Sequence, residues 1–141
     1  MTITYFAYGA NLDIEAMATR CPGAAVLERG QLPAHRLVAM REGWLSIEPA
    51  EDEVVEGLLW RLDDVHLVAL DTYEEVHEGL YTHDQALIHR ADGTACEALV
   101  YQGSNGGPGV LHAEYAERVA RAAERTLGAA QAARIRALGP A

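Results

Sequence analysis

Apolar and polar positions alternate along much of the chain, and glycine and proline cut the pattern into short runs. Thr2 to Tyr8 is β-branched and aromatic, which predicts a strand that Gly9 ends. Asn11 stands where it can cap a helix whose first turn carries Asp13 and Glu15, and Pro22-Gly23 closes that helix. Val26 to Leu32, His35 to Met40 and Trp44 to Ile47 are separated by Gly30, Pro33 and Gly43, so they predict three short strands joined by turns. Pro49 to Asp52 reads as a polar connection. Val54 to Leu62 predicts a further strand, and Gly57 inside it marks a bulge or a close backbone approach.

The period then changes. Val65, Val68, Ala69 and Thr72 recur at helical spacing behind a cap at Asp63, and this helix ends near Tyr73-Glu74. Leu80 to Ile88 and Thr94 to Gln102 predict a hairpin through Arg90-Ala91-Asp92-Gly93, since Asp-Gly favours tight turns. Gly103 to Gly109, with four glycines and Pro108, reads as a mobile loop over a pocket. Tyr115, Val119, Ala122 and Ala123 place a helix over Ala113 to Thr126, and Gly128 parts it from a shorter one through Ile135 and Leu138. Many strands with few helices, and no regular strand-helix alternation, argue against a doubly wound parallel sheet. The expectation is an α+β fold over residues 1–141 as one domain: a small mixed, mostly antiparallel β-barrel flanked by helices. Loops converge at the open end of such a barrel, where pockets lie.

Composition narrows the function classes. Half of the 141 residues are hydrophobic, so a core can form without a disulfide or metal staple. Eleven basic residues against twenty-one acidic ones leave a net charge of −10, which repels nucleic acid and anionic membranes. Cys21 and Cys96 have no zinc spacing, and the six histidines at 35, 66, 77, 83, 89 and 112 form no His-Glu-x-x-His pattern, so no metal is expected. No phosphate-loop or dinucleotide motif is present, and no cofactor is expected. The N-terminus has no basic region ahead of an apolar segment, and no apolar run approaches membrane-spanning length, so a cytoplasmic location is expected.

Two segments carry candidate chemistry. Tyr5 to Leu12 runs from a strand through Gly9 into a helix start, leaving backbone N–H groups free to hold an anion or a developing oxyanion. A tight turn that simply needs glycine explains the same residues. In Leu70 to Tyr81, Glu74 follows an apolar helix and precedes a strand, so its carboxylate can be held near the barrel's open end with a raised pKa. A solvated acidic turn with Glu75 and Glu78 is the alternative. Tyr81 and Tyr101 lie in strands that can line the same site.

Tyr8-Gly9-Ala10-Asn11-Leu12, Arg20-Cys21-Pro22-Gly23-Ala24, His35-Arg36-Leu37, Val55 to Trp60 and Leu70-Asp71-Thr72-Tyr73-Glu74 occur in one order, spanning roughly residues 3 to 125. In these motifs the chain resembles the gamma-glutamylcyclotransferases of the AIG2-like superfamily. The resemblance implies a five- or six-stranded barrel with the γ-glutamyl head of a small-molecule substrate in a pocket at one end. It implies that the turn at Tyr8, Gly9, Ala10, Asn11 and Leu12 binds that head through backbone amides, and that Glu74 is the general acid/base. The reaction so implied is attack of the substrate's α-amino group on its γ-carbonyl, releasing 5-oxoproline and an amine. Two positions depart from the family pattern: Ala10 replaces serine, and Glu75 replaces a residue that is commonly glycine. Hydrolysis or acyl transfer by an external nucleophile, and a non-catalytic binding module, remain alternatives on the same barrel. The C-terminal helix is compatible with a monomer or a homodimer.

Overall fold

A computed structural model describes residues 1–141. Five strands, β1 (Thr2–Ala7), β2 (Ala25–Ala39), β3 (Leu45–Asp63), β4 (Tyr81–Arg90) and β5 (Ala95–Gly103), close a barrel in the order β1-β3-β2-β4-β5. All neighbours are antiparallel except β1 and β5, which meet in parallel at Tyr5 and Leu99. Helices α1 (Ile14–Arg20), α2 (Asp64–Tyr73), α3 (Ala113–Thr126) and α4 (Ala129–Arg136) flank it. This is the α+β barrel expected from the pattern. No helix is long and apolar enough to cross a membrane.

The strands between Val26 and Leu62 differ from the expectation. The three short runs and the polar connection are two long strands, β2 and β3, paired from Ala25 and Arg61 to Ala39 and Leu45 with register shifts between Val26 and Glu28 and, at the bend, between Pro33 and His35. Ala34 and Asp52 take positive φ at that bend, so Pro33 and Pro49 to Asp52 kink the hairpin and do not end it. Gly30 lies within β2 and does not end it, and a Cβ there would press to 2.6 Å from Ile88. At Gly57 a side chain would collide with the Ala7 carbonyl and the Phe6 ring, the close approach that an interior glycine marks.

Two local readings also change. Asp13, not Asn11, caps α1, its carboxylate accepting the Ala16 N–H at 3.1 Å. Asn11 lies instead in a short 3-10 turn, Ala10–Leu12, and its side chain serves the site. The Gly103 to Gly109 loop does not cover a pocket. It packs on the β2–β3 turn, where Asn105 accepts the Arg41 N–H and donates to Glu42, both at 2.8 Å, and Gly109 abuts the Met40 carbonyl.

The core joins barrel and helices. Phe6, Leu59, Leu62, Leu70 and Ile135 are fully buried. Helix α3 turns Ala116, Val119, Ala120 and Ala123 inward, and these small side chains bring its backbone close enough for Tyr115 to reach the barrel's open end.

Candidate active site

The motif-bearing segments converge on a cavity of about 260 Å³ at one end of the barrel. One wall is the turn after β1. Its first internal bonds run from the Leu12 N–H to the Gly9 carbonyl (3.0 Å) and from the Asp13 N–H to the Ala10 carbonyl (3.3 Å). The N–H groups of Gly9, Ala10 and Asn11 precede these bonds, no side chain caps the turn, and all three residues line the cavity. This is an array of backbone donors suited to a carbonyl oxygen that gains negative charge.

All six tyrosines of the chain line the cavity, and hydrogen bonds divide the five other than Tyr73. Tyr8 donates to the Tyr101 carbonyl (2.6 Å), Tyr81 to the Leu45 carbonyl (2.5 Å) and Tyr101 to the Asp71 carboxylate (2.7 Å). Those three hydroxyl hydrogens are committed. Tyr5 instead accepts from the Asn11 amide (2.9 Å), and Tyr115 accepts from the Leu45 N–H (3.3 Å). Their own O–H hydrogens are free for a bound ligand. Burial pushes all five phenols up from their ordinary value, so they remain neutral donors.

Opposite the turn, Glu74 is the residue that ends α2, its N–H bonded to the Leu70 carbonyl at 2.8 Å. Burial pushes its carboxyl up from the ordinary 4.5 to about 7, and the positive charge of Arg20 opposes that rise in part. A carboxyl poised there takes and returns a proton at neutral pH, which general acid/base work requires. Glu75, the next residue, is exposed at the cavity mouth with φ of +52°, a backbone state that glycine adopts without penalty. Arg20 stands behind this wall. It donates to the side-chain amide oxygen of Asn11 and stacks 3.6 Å from the centre of the Tyr73 ring.

Of the residues singled out in the sequence, the cavity gathers Tyr8, Gly9, Ala10, Asn11, Glu74, Tyr81 and Tyr101. Leu12 is not among them: it is fully buried and faces the core. Sequence reasoning missed Trp44, Tyr115 and Arg118. Tyr115 and Arg118 sit three apart on α3 and so share a helix face, but that spacing resembles an ordinary packing stripe until the helix is docked. The Gly103 to Gly109 loop, expected over the pocket, is absent from the lining. No three His, Cys, Asp or Glu side chains are grouped so as to hold a metal ion.

Comparison with known proteins bears on the fold and the family. The model of the family described as "Gamma-glutamyl cyclotransferase, AIG2-like" matches residues 5–121. A gamma-glutamylcyclotransferase from Bos taurus is 26% identical over 111 residues, which are 72% of this chain and 59% of that protein. The chain thus spans less than two thirds of that relative's length. A solved gamma-glutamyl cyclotransferase superposes with a TM-score of 0.90 at 22% identity, over 100% of this chain and 90% of its own. An uncharacterized protein from Homo sapiens gives 0.88 at 22% identity over 99% and 89%, and an AIG2-like protein from Mus musculus gives 0.61 at 22% over 76% and 80%. At such identities these likenesses show a common fold. The family match runs from β1 into α3 and takes in both the amide turn and Glu74, and on that extent the chain belongs to the AIG2-like gamma-glutamyl cyclotransferase family.

Proposed function

We propose that the protein cyclises small γ-glutamyl amides, with Glu74 as the general acid/base and the amides of Gly9, Ala10 and Asn11 as the oxyanion site. The observation that carries this reading is a carboxyl raised to about 7 by burial, sharing one cavity with an uncapped amide turn. The substrate brings its own nucleophile. Held in a bent conformation, its free-base α-amine attacks the γ-carbonyl carbon and closes a five-membered ring. An advantage of roughly 7 to 11 kcal/mol is available to well-oriented intramolecular reactions of this kind.

The proton that the attacking nitrogen sheds passes to the Glu74 carboxylate. The γ-carbonyl oxygen gains negative charge that the turn's N–H groups face. As the tetrahedral intermediate collapses, the bond to the departing nitrogen breaks and Glu74 returns the proton to it. The products are 5-oxoproline and a free amine. One carboxyl therefore serves both halves of the reaction, and the scheme uses no cofactor.

The test is product analysis on a panel of γ-glutamyl amino acids and γ-glutamyl amines. Release of 5-oxoproline and amine in equal amounts is expected, and substrates acetylated on the α-nitrogen should be inert. Release of glutamate would favour water as the nucleophile. Binding without turnover across the panel would favour a binding module.

A further inference from the structure

We propose that Arg20 is a positioning residue that clamps the Gly9–Leu12 turn to the C-terminal end of α2, and so holds the turn's amides and Glu74 in register. The proposal rests on the cyclotransferase reading for what that register accomplishes, but the clamp is a property of the fold.

Arg20 ends α1 and does not line the cavity. It acts from behind, through both the edge and the face of its guanidinium. The edge donates to the carbonyl oxygen of the Asn11 side chain, whose amide nitrogen in turn donates to Tyr5 at 2.9 Å. Asn11 is only 2% exposed, so without Arg20 its oxygen would be buried with no donor, a state that costs more than the bond itself is worth. The face covers the Tyr73 ring at 3.6 Å, and Tyr73 immediately precedes Glu74. One rigid group therefore joins β1, the amide turn, α1 and α2. A lysine carries the charge but cannot present a planar face and a donor edge together.

No carboxylate forms an ion pair with Arg20 among the protein's salt bridges, so its charge is not cancelled locally. The charge favours the ionised form of Glu74 against burial. The other groups on the cavity are neutral or distributed around the mouth. Tyr5 and Tyr8 of β1, Tyr81 of β4, Tyr101 of β5 and Tyr115 of α3 stay protonated. Tyr73 and Glu75 flank Glu74 in the chain, and Arg118 of α3 is the one basic residue in the lining.

The test uses Arg20→Met and Arg20→Lys in the full chain, with two independent readouts. The first needs no activity: backbone and side-chain amide NMR of Gly9, Ala10 and Asn11, and the titration of the Glu74 carboxyl by carbon NMR. Arg20→Lys should shift the turn's amides and speed their hydrogen exchange while leaving the Glu74 midpoint near the parent's. Arg20→Met should do both, moving the midpoint upward. The second readout is 5-oxoproline release against pH. Both variants should lose on the order of tenfold to a hundredfold in kcat even at pH 9, where Glu74 is ionised in every protein, as misplacement of reacting groups predicts. In Arg20→Met the acid limb should also move to higher pH.

Unchanged amide signals and a kcat within twofold of the parent at pH 9 in Arg20→Lys would overturn the clamp. That outcome can be read even if Arg20→Met fails to fold. If the parent releases no 5-oxoproline, the functional reading fails alone, and the NMR of the turn still decides the clamp.

Discussion

Glu74 and Glu117 are the same side chain in two regions of one small protein, and their ionisation lies at opposite extremes. Glu117 sits on the solvent side of α3, with Arg121 one turn away at 3.0 Å and Arg136 of α4 reaching it at 3.0 Å. Those hydrogen bonds hold its carboxyl down, at about 2. Glu74 has no such partner. The cavity wall around it is rich in tyrosine, and burial pushes it up to about 7 against the partial opposition of Arg20. Where water and guanidinium groups are at hand, a carboxylate stays ionised and does nothing but decorate a helix. Where burial outweighs the one nearby guanidinium, that of Arg20, the carboxyl is pushed up into the range that proton exchange at neutral pH requires.

The strongest way to break this contrast is to remove the proton-exchanging carboxyl. Glu74→Gln should lower turnover by at least 10²-fold, the lower end for loss of a general acid/base, while the fold is kept. Steady-state release of 5-oxoproline, with circular dichroism as the check on folding, measures it. Full activity would mean that the raised carboxyl is incidental. In the parent protein, kcat/KM for 5-oxoproline release should fall as pH drops through about 7, because protonation would remove the proposed base.

The same substitution should have a pH-dependent effect on stability. Glu74 has a folded-state pKa above its unfolded value, so its favourable contribution is whole below about 4.5 and is lost as pH rises through about 7. The full difference corresponds to roughly 3 kcal/mol as an upper figure. Glu74→Gln should therefore be more stable than the parent at pH 8.5 and match it near pH 4, by urea denaturation at both pH values. A gap of the same size at both would show that packing, not ionisation, governs this position.

A smaller effect is expected at the turn facing Glu74. Ala10→Ser leaves the backbone donors in place and adds one hydroxyl beside the cavity, and a neutral hydrogen bond contributes about 0.5 to 1.5 kcal/mol net. The Michaelis constant should shift by roughly tenfold or less with turnover little changed. Turnover arising from an inactive parent would instead assign the missing serine an essential role.

The smallest effect belongs to the other carboxylate. Glu117→Gln breaks contacts that are open to solvent on both partners, where screening and side-chain entropy cancel most of the attraction. The melting temperature should barely move, and 5-oxoproline release should not change. A large loss of either would mean that the α3–α4 surface supports the cavity through Arg136.

Much was legible along the chain because it depends on near neighbours. The apolar strand that Gly9 ends, the Asp63 start of α2, the Asp92-Gly93 hairpin and the helical stripe of α3 each follow from local period and turn chemistry, and so does the barrel class. The motif around Leu70 to Glu74 singled out Glu74, and the one around Tyr8 to Leu12 singled out the turn. Long-range contacts decided the rest. Whether Pro33 and Pro49 end strands or bend them depends on the pairing of β2 with β3, which local pattern does not encode. Asn11 looks like a cap until Tyr5 and Arg20 are brought to its two ends, and Leu12 like a lining residue until the core closes over it. Trp44, Tyr115 and Arg118 join the site only when α3 docks across the barrel mouth. The pKa of Glu74 is decided in the same way, since a carboxylate in sequence carries no record of how much water the folded chain will leave around it.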